Sequence, residues 1–322
     1  MAASSSAQRA LKQRSARSFL PKLLGVDTPL QAQTALWGYL FVLPWLLGLI
    51  IFIVGPILAS FYLSFTQYNI LTAPKFIGFA NYEHAFSADT LFWPSLGRTF
   101  LYALLVVPIG LVGSLGLALL LNQRARGTNI FRTLFFVPSL TPTVALALLW
   151  TWLFHPTVGP INTMLVLIGL PGPGWLTSAQ WALPSLIIIA LWAGLGGSTM
   201  LIFLAGLQGV PQELMDAARI DGAARWAKFR HVTFPMISPT MLFNFVLGVI
   251  GALQVFTLAF VATSGGPSYA TWFFALNIYN QAFQYLNMGY GAALAWILVV
   301  IVLSLTLINL ALSRRWVYYA GD

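Results

Sequence analysis

The chain has no cysteine, and Asp, Glu, Lys and Arg together make up only 7% of its 322 residues. The first absence excludes a disulfide framework and thiol chemistry. The second lies far below the roughly 25% charged residues of a soluble domain. Two stretches, Thr133 to Gln212 and His231 to Ser313, carry no charged residue at all. The chain also lacks a Gly-x-x-x-x-Gly-Lys-Ser/Thr phosphate loop, so any ATP hydrolysis must be done by a partner. Its three histidines, His84, His155 and His231, fall on different loops without ligand spacing, so no bound metal is expected. Proton relays need Asp, Glu or His inside apolar segments, and here only His155 comes near one. That argues against a proton-coupled transporter and leaves open a sodium-coupled one that uses backbone oxygens. No serine has the local partners that would make an intramembrane enzyme a strong reading. A purely structural scaffold leaves the ordered polar loop described below unexplained.

What remains is 59% hydrophobic. A bilayer core needs about 20 apolar helical residues, and runs of that length occur at about 36–66, 99–122, 133–154, 181–207, 237–263 and 288–312. Lipid offers no partners to an open backbone, so these predict an all-α integral membrane protein with six transmembrane helices. The first run starts too late and is too long for a cleaved signal peptide, so a retained helix is expected. Fourteen of the sixteen Lys and Arg precede the first run, lie between runs two and three or four and five, or follow the sixth. Only Lys75 and Arg98 fall on the other side. The positive-inside rule then places both termini in the cytoplasm. The same bias accounts for the net charge of +9 and leaves little for a nucleic-acid partner. Trp93, Trp175, Trp181 and Trp272 fall where outer headgroups should be, with Trp150 and Trp152 close by, and Trp37 and Trp316 at the inner boundary.

Four regions follow. Residues 1–33 form a basic tail, either mobile and drawn to anionic headgroups or a surface-lying helix around Leu11–Leu24. Residues 34–94 hold the first helix, kinked at Pro44 or Gly55-Pro56, and a hydrophilic outer loop. Residues 95–312 form the core and 313–322 a cytoplasmic tail. The connections at 155–180 and 263–267 are dense in Gly and Pro and read as turns.

Within the core one polar segment interrupts the apolar runs. Pro211 suits the first turn of a short helix, and Glu213 and Asp216 lie near its positive end. Leu214, Ala217 and Ala218 share a face, and Gly222 ends the helix. Asp221 is placed to cap a second helix, Ala223 to His231, which should break before Pro235. Small residues on an exposed face allow another protein's backbone to approach closely.

The run Asp216-Ala217-Ala218, three residues, Gly222, nine residues, Val232-Thr233-Phe234-Pro235 resembles the EAA signature of binding-protein-dependent ABC importer permeases. Asp replaces Glu at 216, Val replaces Ile at 232 and Phe replaces Leu at 234. The resemblance extends to Phe76-Ile-Gly78-Phe-Ala-Asn81-Tyr82, Phe131-Arg132 through Pro138, Trp150 with Phe154, Gly159 and Asn162, and Ser264-Gly-Gly-Pro267. These are similar to the sugar-permease branch, with its maltose-type and glycerol-phosphate-type subunits. The resemblance implies a type I (MetI-like) importer fold in a prokaryotic inner membrane. It also implies a second, different permease subunit, two copies of a cytoplasmic ATPase that uses ATP-Mg, and an external solute-binding protein. Glu213, Asp216, Ala217, Ala218, Asp221 and Gly222 would then form the ATPase-docking element, with Phe234 and Pro235 holding its return into helix five. No catalytic residue and no cofactor is expected in this chain.

Polar residues on the path should face away from lipid. Helix five offers Asn244, Gln254 and Thr257 with Gly248 and Gly251 beside them, and Gly251, Gln254 and Leu258 would share a helical face. Asn277, Tyr279, Asn280 and Gln281 precede helix six, with Tyr285 and Asn287 close behind. Amides that bond hydroxyls and rings that cover a pyranose suit a sugar, although amides between membrane helices also serve packing. The absence of charge in the six runs favours a neutral sugar, polyol or oligosaccharide over glycerol phosphate.

Overall fold

The computed structural model describes residues 29–123 and 127–318. The basic tail as far as residue 28, Arg124, Arg126 and residues 319–322 lie outside the described residues. The chain is mostly helical. Gln33–Ser64, Phe92–Leu121 and Met288–Ser313 are each long and apolar enough to cross a membrane. Three bent helix pairs reach that standard only as pairs, giving up to six spans if each pair counts as one.

Contacts divide the chain into two compact units, one ending at Tyr62 and one beginning at Leu63. The first is built from α1 (Pro29–Leu49), a wide π-turn over Ile50–Val54 and the start of α2 (Gly55–Ser64). Pro44 sits inside α1 without ending it. At the expected Gly55-Pro56 kink, the ladder widens instead: the Gly55 N–H donates to Ile50 O, five residues back. The next residue, Pro56, has no N–H to give, and a π-turn accommodates that without a sharp bend. No residue from Gln33 to Leu63 is buried.

The second unit opens with a two-stranded antiparallel ribbon, β1 (Thr66–Gln67) and β2 (Lys75–Phe76), a small departure from an all-helical chain. After α3 (Ala80–Ser87) comes the central column α4 (Phe92–Leu121), against which α8 (Ala179–Gly194), α9 (Ser198–Gln208) and α13 (Ser238–Leu253) pack. Lipid tails are as apolar as leucine, so close packing and buried polar contacts hold such helices together. Phe203, Met200 and Ile237 are fully enclosed in one cluster, and Leu186, Ile189 and Phe273 in another. Across the column the Ser114 hydroxyl donates to Leu195 O at 2.8 Å, and the Phe274 N–H donates to Thr99 Oγ1 at 2.9 Å.

Three of the apolar runs are not single rods: the fourth bends by 45° between α8 and α9, and the third and fifth are more deeply interrupted. In the third, α5 (Thr128–Phe136) and a 3₁₀ turn (Val137–Leu140) meet α6 (Thr143–Leu153) at 94°. Pro138 and Pro142 withdraw the donors a continuous helix would need there. At about 1.5 Å per residue, α6 alone cannot cross a bilayer of about 30 Å. In the fifth run α13 stops at Leu253, and α14 (Thr257–Thr263) restarts after a three-residue break. The two short helices α6 and α14 pack on each other. A short α7 (Pro160–Leu167) lies in the connection before α8. The last helix, α16 (Met288–Ser313), follows α15 (Phe274–Tyr279) and a π-turn over Asn280–Gln284. Its first turn lies against β1 and its end lies near the start of α13, where the Tyr318 N–H donates to Ser238 Oγ.

The tryptophans divide. Trp37, Trp93, Trp152, Trp181 and Trp316 are exposed, as a membrane-interface belt requires. Trp150 and Trp272 are buried inside the chain instead. Trp175 stacks on Phe154 and donates to Asn162 Oδ1 at 2.7 Å, while Asn162 Nδ2 ties Pro156 O to Pro173 O. The polar edges of Trp175 and Trp272 are spent on loop closure, Trp272 on Asn277.

Candidate functional site

The polar loop between α9 and α13 folds as a helix, a tight turn and a second helical segment. Its first part, α10 (Gln212–Ile220), begins one residue later than expected, with Pro211 as the N-cap. Gly222 ends it in the left-handed conformation at φ +73°. The Ala223 N–H donates to Ala218 O at 2.9 Å and the Gly222 N–H to Arg219 O at 3.1 Å, the paired bonds of a Schellman ending. Asp221 is therefore the C-cap of this helix, and it does not cap the next, whose N-cap Ala224 has no side-chain bond.

The second segment also departs from expectation. Helix α11 spans only Arg225–Lys228, and a π-turn over Phe229–Thr233 carries the chain through Pro235 into α12 (Phe234–Met236). In the wide turn the Phe234 N–H donates to Phe229 O. The break falls at Ile237, two residues beyond Pro235, with a 67° bend into α13.

None of the nine residues of α10 is buried. Met215 is its foothold: it packs with Phe229, Val232 and Met236 against the cluster around Phe203 and Ile237, and its sulfur accepts from Thr233 Oγ1. Glu213, Ala217, Asp221 and Gly222 are left exposed and Ala218 half-buried, with Ile220 and Trp226 standing out at 88% and 69% exposure. Asp216 accepts from Arg219 Nη1 at 2.7 Å within the helix. Both side chains are more than half exposed, so the pair is worth about 0.5 kcal/mol at most and is easily exchanged for another partner. The acidic, small and apolar groups of this loop are displayed, held by one half-buried methionine.

The path candidates separate into three groups. Asn244 and Gly251 line a cleft of about 250 Å³ enclosed by α4, α8, α9 and α13, together with Tyr102, Ser114 and Thr199. Asn244 is 4% exposed, and its Nδ2 has no partner among the described residues. A buried amide N–H without an acceptor is costly, and in a cleft it is a donor waiting for one. A Cβ on Gly251 would meet nothing within 4 Å, so this glycine faces open space, whereas Gly248 packs on Val107.

Gln254 and Thr257 form the second group. The helix break puts Gln254 at the C-cap of α13 and Thr257 at the start of α14, so they do not continue one helical face with Gly251 and Leu258. Gln254 is exposed, and Phe256, Phe260 and Tyr279 cluster nearby with ring centroids 5.1–5.2 Å apart.

Asn277 and Asn280 form the third group. Asn277 is fully buried and accepts from Trp272 Nε1, while its Nδ2 has no partner among the described residues. Asn280 Nδ2 donates to Leu276 O one turn back.

Residue-type reasoning also missed Arg98. Its run was counted from residue 99, but α4 begins at Phe92, which places Arg98 in the second turn of that helix. Its Nη1 is buried without a partner among the described residues. No cluster of His, Cys, Asp and Glu suited to a metal forms among the described residues.

Residues 107–318 match the family described as "Binding-protein-dependent transport system inner membrane component". The chain is 41% identical over 286 residues to the probable ABC transporter permease protein YesP of Bacillus subtilis, covering 88% of this chain and 92% of that one. It is 32% identical to the trehalose/maltose transport system permease protein MalF of Thermococcus litoralis, over 90% and 97% of the two chains. Its fold matches a chain in the crystal structure of the bacterial alginate ABC transporter in complex with alginate pentasaccharide-bound periplasmic protein. That likeness has a TM-score of 0.78 at 24% identity and covers 88% of this chain and 96% of the other.

Proposed function

Because the chain belongs to the binding-protein-dependent transport system inner membrane components, we propose that it forms half of the pathway of an ATP-driven carbohydrate importer. It is a permease subunit and not an enzyme; hydrolysis belongs to a separate ATPase subunit. The observation that carries the mechanism is α10, an unburied helix displayed on a single methionine foothold.

On this reading the six apolar runs are six spans, three of them broken, with both termini in the cytoplasm. Two copies of the ATPase, loaded with ATP-Mg, take up the paired loops of this chain and a second, different permease. Glu213, Asp216, Ala217, Ala218, Asp221 and Gly222 form the docked surface, and Phe234 and Pro235 relay its motion into α13. Exchange of the weak Asp216–Arg219 pair for a bond to the ATPase releases a side chain at little cost. The external binding protein delivers cargo at the opposite end. The cleft beside Asn244, the break at Gln254 and the rings around Tyr279 then form the passage, where amide donors and aromatic faces suit sugars. The relatives support this cargo class, since one of them is a trehalose/maltose permease matched over nearly its whole length.

Arg98 supports a second reading, a carbohydrate bearing a carboxylate or phosphate. One nitrogen of its half-buried guanidinium, Nη1, has no partner among the described residues, and a guanidinium can hold an anion in bidentate fashion. The experiment for both is uptake into proteoliposomes that hold this chain with its cognate permease, ATPase and binding protein. Import that needs ATP and survives collapse of ion gradients supports an ABC importer. Import that follows the ion gradient without ATP overturns it. Loss of acidic but not neutral oligosaccharide uptake in Arg98→Leu decides the cargo.

A further inference from the structure

A polar pocket of about 460 Å³ lies at the end of the second unit remote from the coupling loop. Three distant parts of the chain build it: the ribbon edge Thr66–Asn69, the α3 residues Asn81 and His84, and the turn into α16 from Gln281 to Tyr290. Its frame is fixed by backbone contact. The Gly289 N–H donates to Tyr68 O at 3.1 Å, and a Cβ at 289 would lie 2.0 Å from Thr66 O, so only glycine lets α16 start there. Asn81 Nδ2 donates to Ser64 O and Thr66 O, both at 2.9 Å, which locks α3 onto the ribbon. Two non-glycine residues beside the lining amides hold left-handed backbone, Ile70 at φ +65° and Leu286 at φ +59°. For a β-branched residue such as isoleucine that conformation is rare, and the fold maintains it here.

The lining holds amides, hydroxyls, two tyrosines and the imidazole of His84, and no carboxylate. The nearest acid, Asp89, is already spent, with Oδ2 accepting from Tyr290 Oη at 2.6 Å and Oδ1 from the Leu91 N–H. No Lys or Arg lines the pocket. Several groups have capacity left over. Among the described residues the Gln67 side chain, the Tyr68 hydroxyl and Gln281 Nε2 have no hydrogen-bond partner; Gln281 Oε1 accepts only from Asn287 Nδ2 at 3.3 Å. Amides that donate and accept, the free Tyr68 hydroxyl and the absence of Asp, Glu, Lys and Arg from the lining match sugar hydroxyls, and the volume suits one or two sugar rings.

We propose that this pocket is a saccharide subsite at the outer mouth, separate from the cleft at Asn244, which holds a sugar unit as cargo passes from the binding protein into the membrane. The inference rests on the importer reading, which makes this end the outer one. Gln67 and Gln281 bond the hydroxyls, and Tyr68 supplies a ring edge.

The test uses the full-length chain in lipid nanodiscs with three diazirine-tagged neutral probes: maltotriose, cellobiose and lactose. Photolabelling is mapped by peptide mass spectrometry. At least one probe should label residues 66–84 and 281–290, untagged sugar should compete, and Gln67→Ala with Gln281→Ala should lower that labelling at least fivefold. Size-exclusion behaviour of the double variant should match wild type, since Gln67 is exposed and Gln281 half-buried. No competed labelling of these peptides by any probe overturns the subsite. Weaker capture of the binding protein by the double variant, without sugar labelling, also overturns it and makes the pocket a protein-docking surface. A parallel ATP-dependent uptake assay separates the two levels. Carbohydrate import by wild type with an unchanged KM in the double variant removes the subsite and leaves the importer standing. Absence of ATP-dependent import by wild type removes the importer reading itself.

Discussion

The coupling loop and the broken half of helix five are separated by a single helix, α13, yet they are specified in opposite ways. The loop is specified locally. Pro211 opens α10, Gly222 closes it, and the intervening residues decide which face is displayed. The break at Gln254–Phe256 has no such local signature, because the residues around it are apolar and contain neither proline nor a left-handed glycine. Its cause is distant packing: α14 turns to lie on α6, which is itself short because of Pro138 and Pro142. One region can be altered through its own residues, the other through its neighbours.

Several substitutions break or sharpen that contrast. The largest effect is expected at Gly289→Leu, where the ribbon and α16 touch backbone to backbone. Overpacking of this kind costs about 3 kcal/mol or more, and the folded fraction by fluorescence-detected size exclusion should collapse. Gly222→Val comes next. It forces a β-branched residue into left-handed backbone, a strain of about 1–2 kcal/mol in an exposed turn. The helices should stay inserted while stimulated ATPase activity and uptake separate; coupling that stays intact removes the loop from the docking role. Asn244→Leu should behave in reverse order. Removing an orphaned buried donor leaves thermal stability unchanged or raises it by about 1 kcal/mol, while loss of one cargo hydrogen bond lowers uptake about fivefold. A fall in stability without a fall in uptake would make Asn244 a packing residue. Gln254→Leu, at an exposed position, should lower uptake a few-fold with complex assembly unchanged by co-purification. The smallest effect belongs to Asp216→Ala, which alters stability by about 0.5 kcal/mol or less, so any large loss of ATPase stimulation must arise from the docked complex.

How much of the molecule was legible in its residues follows the same division. The apolar runs and the turn at Gly222 are readable because hydrophobic length and left-handed backbone are local properties. The family resemblance reached further than either. What could not be read were contacts formed by folding. Nothing in the sequence pairs Asn277 with Trp272, whose indole donates to it, and Met215 looks like any apolar residue until it is seen anchoring α10. Arg98 was discounted because a hydropathy boundary at 99 cannot reveal that the helix starts at Phe92. Gln67 and Gln281 lie more than two hundred residues apart in sequence, and contacts such as Gly289–Tyr68 and Tyr290–Asp89 bring them to one pocket.

The interruption after Leu253 has one more outcome. The last carbonyls of a helix lack partners from their own ladder; here Ala252 O is taken up by the Val255 N–H, and the other main-chain oxygens of the gap lie in a run without any charged side chain. Such acceptors are the same whatever amino acid occupies the position. A scan by substitution would pass over them, and recognition built on them would drift little as the side chains around it diverge.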